Sequence, residues 1–306
     1  MSSKPIPGLV STEQSKRDAP KARPAPSVGA KWLGVLPFFV FIFIFVVLPS
    51  ISLFVGSFQD NKGNFTFKNL ADLVKPEYAN AYWVTIRISL VTAVAGGILG
   101  FMMAYAVTLG GLPRWVRSIL ATFSGVASNF AGVPLAFAFV ATLGRTGMVT
   151  VILKALGVDL YDSGFSLYSF WGLSLTYMYF QFPLMVLIIT PALDGLRKEW
   201  REAAENLGAS SFQYWTKVAL PILMPSILGC MVLLFGNSFG AYATALSLTG
   251  GFINLITVVI GSQIKGDVLH NVNLGYAMAF GMVLVMSLTM VIYYFLRRRS
   301  ERWLRQ

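Results

Sequence analysis

The sequence is poor in charged residues, histidine and cysteine. Only 12% of its 306 residues are charged, whereas an average soluble domain has about 25%. The single cysteine, Cys230, cannot form a disulfide within the chain, so cysteine pairing says nothing about the compartment. The one histidine, His270, stands near Asp267 in a predicted loop, and a metal site needs several ligands. We therefore interpret His270 as a solvated polar residue and expect no metal site.

Catalytic motifs are also missing. The sequence has no Gly-Lys dipeptide, which excludes the G-x-x-x-x-G-K-[ST] loop that cradles nucleotide phosphates. It also lacks an H-E-x-x-H motif, paired cysteine motifs and a Ser/His constellation. The chain is therefore predicted to have no catalytic residue, to bind no cofactor, and not to be an enzyme by itself.

Hydrophobic residues make up 56% of the chain, and they are concentrated in long runs. These runs exceed the roughly 18 to 20 residues that cross a bilayer core. The first is too long for a signal-peptide core and has no small-residue cleavage site. The pattern predicts an all-α, polytopic membrane protein with six transmembrane helices, at 32–55, 83–109, 119–143, 168–193, 222–247 and 274–296.

Two shorter apolar segments do not change this number. Residues 147–157 contain Lys154 and are interpreted as an amphipathic helix on the outer surface, with a seventh span as the alternative. Residues 253–264 form another short outer segment, for which a re-entrant course is one option.

Both ends of the chain are basic and polar. Residues 1–31 contain five prolines and six basic residues, and they are too polar to bury a core. They are predicted to be a disordered tail. The six-span domain then covers 32–296, and residues 297–306 form a second basic tail.

The net charge of +11 is unevenly distributed. Of the 24 Lys and Arg residues, 17 fall in 1–31, 110–118, 194–221 and 297–306, which six spans place on one side of the membrane. Basic residues in short loops stay cytoplasmic. We therefore expect both termini and residues 194–221 inside the cell. Because topology explains the charge, a bilayer is the expected partner and a nucleic acid is not.

A polar block, EAAENLGASSFQYWTKVALP, lies between the fourth and fifth spans. Strong helix formers precede Gly208, which favours a helix end. Ser210 or Ser211 could cap a second helix, and Pro221 would mark the beginning of span five. The block is predicted to be a helical hairpin within 194–221. The alternatives are an interaction surface or a connector folded on the protein's own surface, and the aromatic residues that suit an interface are Phe212, Tyr214 and Trp215.

The spacing of Glu202-Ala203-Ala204, Gly208 and Leu220-Pro221 resembles the EAA loop of MetI-like ABC-importer permeases. Val218 stands where isoleucine is usual. The motif covers 20 residues, and the similar layout of spans extends over about 32–296. The motif lies before the last two spans, as it does in the family.

The resemblance implies that the hairpin docks on a separate ATP-binding subunit, where ATP and Mg are used. Glu202 and Gly208 would fix and bend the hairpin, and the residues after the glycine would make the contact. Further implied partners are a second copy of the ATPase subunit, a homologous or identical second permease, and an extracytoplasmic solute-binding protein, in a bacterial inner membrane. The coupling residues expected from the motif are Glu202, Ala203, Ala204, Gly208, Ser211, Phe212, Tyr214, Trp215, Leu220 and Pro221.

Several polar residues fall near the middle of predicted spans. Polar groups in lipid are costly, so they should face the bundle or an aqueous cavity. They could line a translocation pathway, beside kinks at Pro134 and Pro183, or form hydrogen bonds that hold the helices together; both alternatives stay open. The candidate pathway residues are Asn129, Tyr177, Gln181, Asn237, Ser238 and Tyr242, with Tyr179 as a further member.

The segments SFGAYATALSLTGG and GSQIKGDVLHNVNLGYAMAFG most resemble the spermidine/putrescine-type branch of the family. That branch also contains aminoethylphosphonate, thiamine, ferric-iron and sulfate systems. The spans lack carboxylates, so they give no independent indication of a cationic solute. A stand-alone secondary transporter or channel, or a membrane scaffold, are the competing classes; clear inverted repeats or filter motifs, which a transporter or channel would show, are not found.

Overall fold

A computed structural model describes residues 28–265 and 271–302, and side chains within 35–300. The chain divides into two units, Met1–Ile51 and Ser52–Gln306. Most of the predicted N-terminal tail, the last four residues, and Asp267 with His270 lie outside the described residues.

The described residues are mainly helical, with one isolated bridge between Gln59 and Phe65. The α-helices are α1 Val28–Ile42, α2 Leu48–Ser57, α3 Lys68–Asp72, α4 Pro76–Leu109, α5 Arg114–Asn129, α6 Val133–Leu143, α7 Met148–Ala155, α8 Phe170–Asp194, α9 Lys198–Asn206, α10 Ser211–Tyr214, α11 Leu220–Phe239, α12 Ala243–Thr249, α13 Ile256–Lys265 and α14 Val272–Arg302. Wider, π-helical turns occupy Phe43–Val47 and Trp215–Ala219.

Six helical stretches of the described chain are long and apolar enough to cross a membrane, which confirms the predicted number. The second begins at Pro76 rather than 83, because Pro76 is well suited to a first helical turn. The six stretches are Val35–Ser57, Pro76–Leu109, Val133–Ala155, Phe170–Asp194, Ser211–Phe239 and Val272–Ser300.

The predicted third span, 119–143, is not one continuous helix. It breaks between α5 and α6, where Gly132 adopts a φ of +76°, a backbone conformation that favours glycine. The Gly132 N–H donates to Thr244 Oγ1 at 2.7 Å, which ties the break to α12. Pro134 then lies in the first turn of α6 and does not kink a longer helix. The apolar stretch continues instead through α6 and α7. The short helix predicted at 147–157 is present as α7, but it belongs to this third stretch and is not separate from the spans.

The predicted fifth span, 222–247, also has different bounds. Helix continues from Ser211 through a π-helical turn to Phe239, and α12 follows after Gly240. The Leu220 N–H bonds to the Trp215 carbonyl across the wide turn. This turn carries the helix past Pro221, which has no N–H to donate. Pro221 therefore does not separate the second arm of the hairpin from the span.

Helices α4, α8 and α11 form the centre of the second unit, around buried residues such as Ala93, Met185 and Leu234. A Cβ added at Gly96 would lie 2.7 Å from Gln181 Cβ, and one at Gly100 would lie 2.7 Å from the Phe182 carbonyl oxygen. The two glycines therefore allow close approach of α4 and α8. Gly96 and Gly100 thus form a pair of small residues, four apart, at this helix contact.

Gly236 and Gly240 form a second pair of small residues four apart, but only Gly236 packs against another helix. A Cβ at Gly236 would lie 2.7 Å from Met286 Cε on α14, so this glycine also packs within the chain. Gly240 ends α11, and the nearest atom to an added Cβ is its own helix's Gly236 carbonyl oxygen.

Gly100→Ala is expected to destabilise the protein by about 1–3 kcal/mol, because the new methyl would overlap backbone that cannot move aside cheaply. Thermal unfolding of the detergent-purified chain measures this loss. Gly125→Ala is the matched control, since nothing lies within 4 Å of the added Cβ on α5. That variant should be unchanged or slightly more stable. Equal melting temperatures for the two variants would contradict the close packing.

Candidate coupling hairpin and translocation residues

The first arm of the hairpin is α9, which carries Glu202, Ala203 and Ala204. Glu202 and Ala203 are exposed, and Ala204 is half-buried. Arg201 Nε donates to Glu205 Oε1 at 2.9 Å one turn along the helix, and this contact raises the pKa of the Arg201 guanidinium above its ordinary value. Exposed pairs of this kind add little to stability, so the helical propensity of its residues is the main local reason that α9 is helical.

The turn of the hairpin explains the spacing of the motif. Gly208 has a φ of +76°, and its N–H donates to the Glu205 carbonyl at 2.9 Å. The next N–H, of Ala209, reaches back to the Ala204 carbonyl, also at 2.9 Å. These two bonds form a Schellman motif, which ends a helix on a residue in the left-handed conformation. A glycine four residues after Ala204 is what this geometry requires.

The second arm begins with a capping box. Ser210 Oγ accepts from the Gln213 N–H at 3.2 Å, while Gln213 Oε1 accepts from the Ser210 N–H at 2.8 Å. Of the two serines that the sequence left open, Ser210 is therefore the cap. Ser211 is the first helical residue, and it is exposed.

The aromatic residues of the second arm do not share one surface. Phe212 is 76% exposed, but Tyr214 is buried, and Trp215 is half-buried with its ring edge-to-face against Tyr105 of α4 at 5.0 Å between centroids. The expectation that all three are available for contact is therefore wrong for Tyr214 and only partly met by Trp215. Trp215 therefore packs on α4, and Tyr214 is covered by the permease itself.

Leu207 is a residue that the sequence analysis missed. It is 88% exposed and immediately precedes the glycine of the turn. Together with Phe212 it forms an apolar tip on an otherwise polar hairpin. The sequence does contain a signal for this residue, because Leu207 is an apolar side chain at a helix end where the turn itself requires none. Leu220 and Pro221, by contrast, lie half-buried beyond the hairpin.

Three of the predicted pathway residues are buried between helices. Gln181 Nε2 donates to the Leu234 carbonyl of α11 at 2.7 Å, and the Tyr177 hydroxyl donates to the Ala241 carbonyl at 3.1 Å. Ser238 Oγ lies 3.0 Å from Thr92 Oγ1 of α4. These contacts have the geometry expected if the polar residues form hydrogen bonds that hold the helices together. Gln181 Oε1, however, has no hydrogen-bond partner among the described residues.

The other predicted pathway residues are not buried between helices in this way. Asn129 and Asn237 are exposed, and Asn129 Nδ2 donates to the Gly125 carbonyl of its own helix at 2.8 Å. Tyr242 is half-buried against Gly261, and Tyr179 packs edge-to-face on Phe139. The structure thus divides the candidates into buried helix contacts and exposed or half-buried residues. Within the described part of the chain, no group of three metal-ligating side chains occurs.

Six apolar helical stretches, and a polar hairpin whose second arm begins the fifth, define a helical membrane protein. Residues 96–306 match the family described as the binding-protein-dependent transport system inner membrane component. The chain belongs to this family, the permeases of ABC importers.

Curated relatives transport different solutes. Over 277 residues the chain is 26% identical to the spermidine/putrescine transport system permease protein PotB of Haemophilus influenzae, covering 84% of this chain and 90% of that protein. It is also 26% identical to the sulfate transport system permease protein CysT of Escherichia coli, over 58% of this chain and 61% of the relative.

Among solved structures, a bacterial ABC transporter involved in the import of the acidic polysaccharide alginate has the same fold. The TM-score is 0.67, with 19% identity over 95% of this chain and 98% of the other. The MetNI methionine ABC transporter, in an inward-facing conformation, matches with a TM-score of 0.54 and 14% identity over 72% of this chain and 95% of the other.

Proposed function

We propose that this chain lines the solute pathway of an ATP-driven importer and receives the energy of ATP hydrolysis through the 194–221 hairpin. One observation carries the proposal. The second arm of the hairpin and the fifth apolar stretch are a single helix, Ser211–Phe239. A displacement of the apolar tip therefore passes directly into a helix that contacts α4, α8 and α14. Rigid-body movement of such a docked element is a known way to switch a packed bundle between two states.

The hairpin residues have distinct roles in this proposal. Ala204 and Gly208 set the turn through the Schellman bonds, and Leu207 and Phe212 enter a cleft of the ATPase subunit. Glu202, Ala203 and Ser211 lie exposed beside the tip and would border the contact. Tyr214 and Trp215 hold the arm on the permease itself, and Leu220 with Pro221 continues it into the span.

The assembly implied by this function has two ATPase subunits, a second permease and an extracytoplasmic solute-binding protein. ATP and Mg are used by the ATPase subunits, not by this chain. The positive charge of their loops supports a cytoplasmic location for both termini and the hairpin, and the proposed membrane is a bacterial inner membrane. The exposed Asn129 and Asn237 and the half-buried Tyr242 are the residues left to face the pathway.

The proposed solute is a small molecule of the polyamine type, with sulfate as the second candidate. The similarity to the polyamine permease extends over more of the chain than the similarity to the Escherichia coli sulfate permease. Aminoethylphosphonate, thiamine and ferric iron are further candidate solutes, and the same uptake assay tests them.

Reconstitution of the complete complex in proteoliposomes tests the function. Uptake of labelled spermidine should require internal ATP, the ATPase subunits and the binding protein, and it should fall to background when any one is omitted. Labelled sulfate, and then the remaining solutes, are assayed in the same vesicles. Uptake by this chain alone would instead establish the competing class, a secondary transporter or channel.

A further inference from the structure

A groove of about 860 Å³ opens beside the hairpin, between the beginning of the Ser211–Phe239 helix and the end of α14. Its walls are mainly apolar, and the side chains that form them include Leu220, Met224, Leu228 and Leu296. The two helices that form it belong to apolar stretches long enough to cross a membrane. The groove therefore faces lipid unless another protein covers it.

Two cations line the same groove. Lys217 and Arg299 are both exposed, and they lie three residues from Leu220 and Leu296 respectively, on the hairpin side of the apolar walls. Residues three apart share a helix face, so each cation is about one turn from an apolar wall residue. Neither cation forms an ion pair with a carboxylate whose side chain the structure describes.

The combination of apolar walls and two cations at one end selects the occupant. A long apolar chain fits the walls, and an anion fits the end, because an anion between two cations is attracted to both. Lysine and arginine near helix ends extend their charged groups to the membrane interface. Basic pockets between transmembrane helices on the cytoplasmic side bind anionic lipid head groups.

We propose that an anionic phospholipid occupies this groove. Its phosphate lies between Lys217 Nζ and the Arg299 guanidinium, and an acyl chain follows Leu220, Met224 and Leu228. A helix of another protein is a poorer occupant, because it would bury both cations unless it carried a carboxylate at the same depth. The site lies where the second arm of the hairpin enters the span, so a bound lipid would brace the base of the hairpin.

Native mass spectrometry of the full chain tests the proposal. The protein is equilibrated in mixed micelles with dioleoylphosphatidylglycerol or dioleoylphosphatidylcholine, and retained lipids are counted. The phosphatidylglycerol should be retained preferentially, and K217Q/R299Q should weaken its binding about 30-fold, the change expected when two basic residues near the surface are lost. K217R/R299K, which keeps both charges, should restore the preference. Leu228→Trp, which fills the groove, should reduce retention of both lipids.

R114Q/K198Q is the matched control, because it removes two exposed cations on the same side of the membrane and away from the groove. It should leave the retention of phosphatidylglycerol within twofold of the unchanged chain. Equal retention of the two lipids by the unchanged chain would overturn the proposal. So would full retention by K217Q/R299Q, or a copurifying permease that excludes lipid from the groove. Because no ATPase is present, the result is independent of the coupling role of the hairpin.

Discussion

Gly208→Pro is expected to abolish copurification of the ATPase subunits while the permease still inserts in the membrane. Gly208 has a φ of +76°, whereas proline is fixed near −65°. Proline would also remove the N–H that bonds to the Glu205 carbonyl. The α9 end would unwind or re-form in another direction, and the tip would no longer meet its cleft. Affinity capture through a tag on the permease, followed by quantification of the ATPase, measures the effect.

The chain contains a matched control for this substitution. Helix α7 ends in the same Schellman motif, with Gly157 at a φ of +86°, its N–H on the Lys154 carbonyl at 3.0 Å, and the Val158 N–H on the Leu153 carbonyl at 2.9 Å. Gly157→Pro imposes the same local strain on a different loop, so it should leave the ATPase bound. If both variants lose the ATPase, the cause is general misfolding. If Gly208→Pro retains both the ATPase and transport, the coupling role is wrong.

Gly208→Ala separates backbone strain from steric overlap. Nothing lies within 4 Å of a Cβ added at this glycine, so the methyl has room. The remaining cost is the left-handed backbone, about 1–2 kcal/mol. ATPase binding should therefore weaken only in part, and a loss as complete as that of the proline variant would contradict this account of the turn.

The number of spans and the hairpin could be predicted from the sequence because both depend on local patterns. Apolar runs of sufficient length identify spans, and a glycine after strong helix formers identifies a helix end. The breaks at Gly132 and Gly240 could not be placed in this way. The sequence around them stays apolar, and a contact distant in sequence, the Gly132 N–H on Thr244 Oγ1, ties down the first break.

The candidate site shows the same limit. The turn at Gly208 follows from the motif alone, but the burial of Tyr214 depends on tertiary packing, which no local pattern encodes. Gln181 was placed correctly at a span centre, yet its partner is a carbonyl 53 residues later. Patterns in sequence identify polar groups that need a partner; whether the partner is another helix or a solute depends on the packing.

Leu207→Asp and Phe212→Asp are each expected to weaken ATPase binding by about 30-fold or more, because an apolar anchor at the centre of an interface contributes about 2 kcal/mol or more. A buried carboxylate without a partner adds a further cost. Both side chains are more than three-quarters exposed in the permease, so the substitutions should leave its melting temperature unchanged. Titration of the purified ATPase against the detergent-solubilised permease measures the affinity.

Leu156→Asp provides the control for the tip. Leu156 is 73% exposed and precedes Gly157 as Leu207 precedes Gly208, so the two leucines have the same local structure and differ in the loop that carries them. If apolar exposure at any helix end attracted the ATPase, the two leucine substitutions would weaken binding equally. If only Leu207→Asp and Phe212→Asp weaken ATPase binding, the ATPase has a cleft that binds this hairpin specifically. The conformational change of the ATPase would then be transmitted to the permease at the beginning of the Ser211–Phe239 helix.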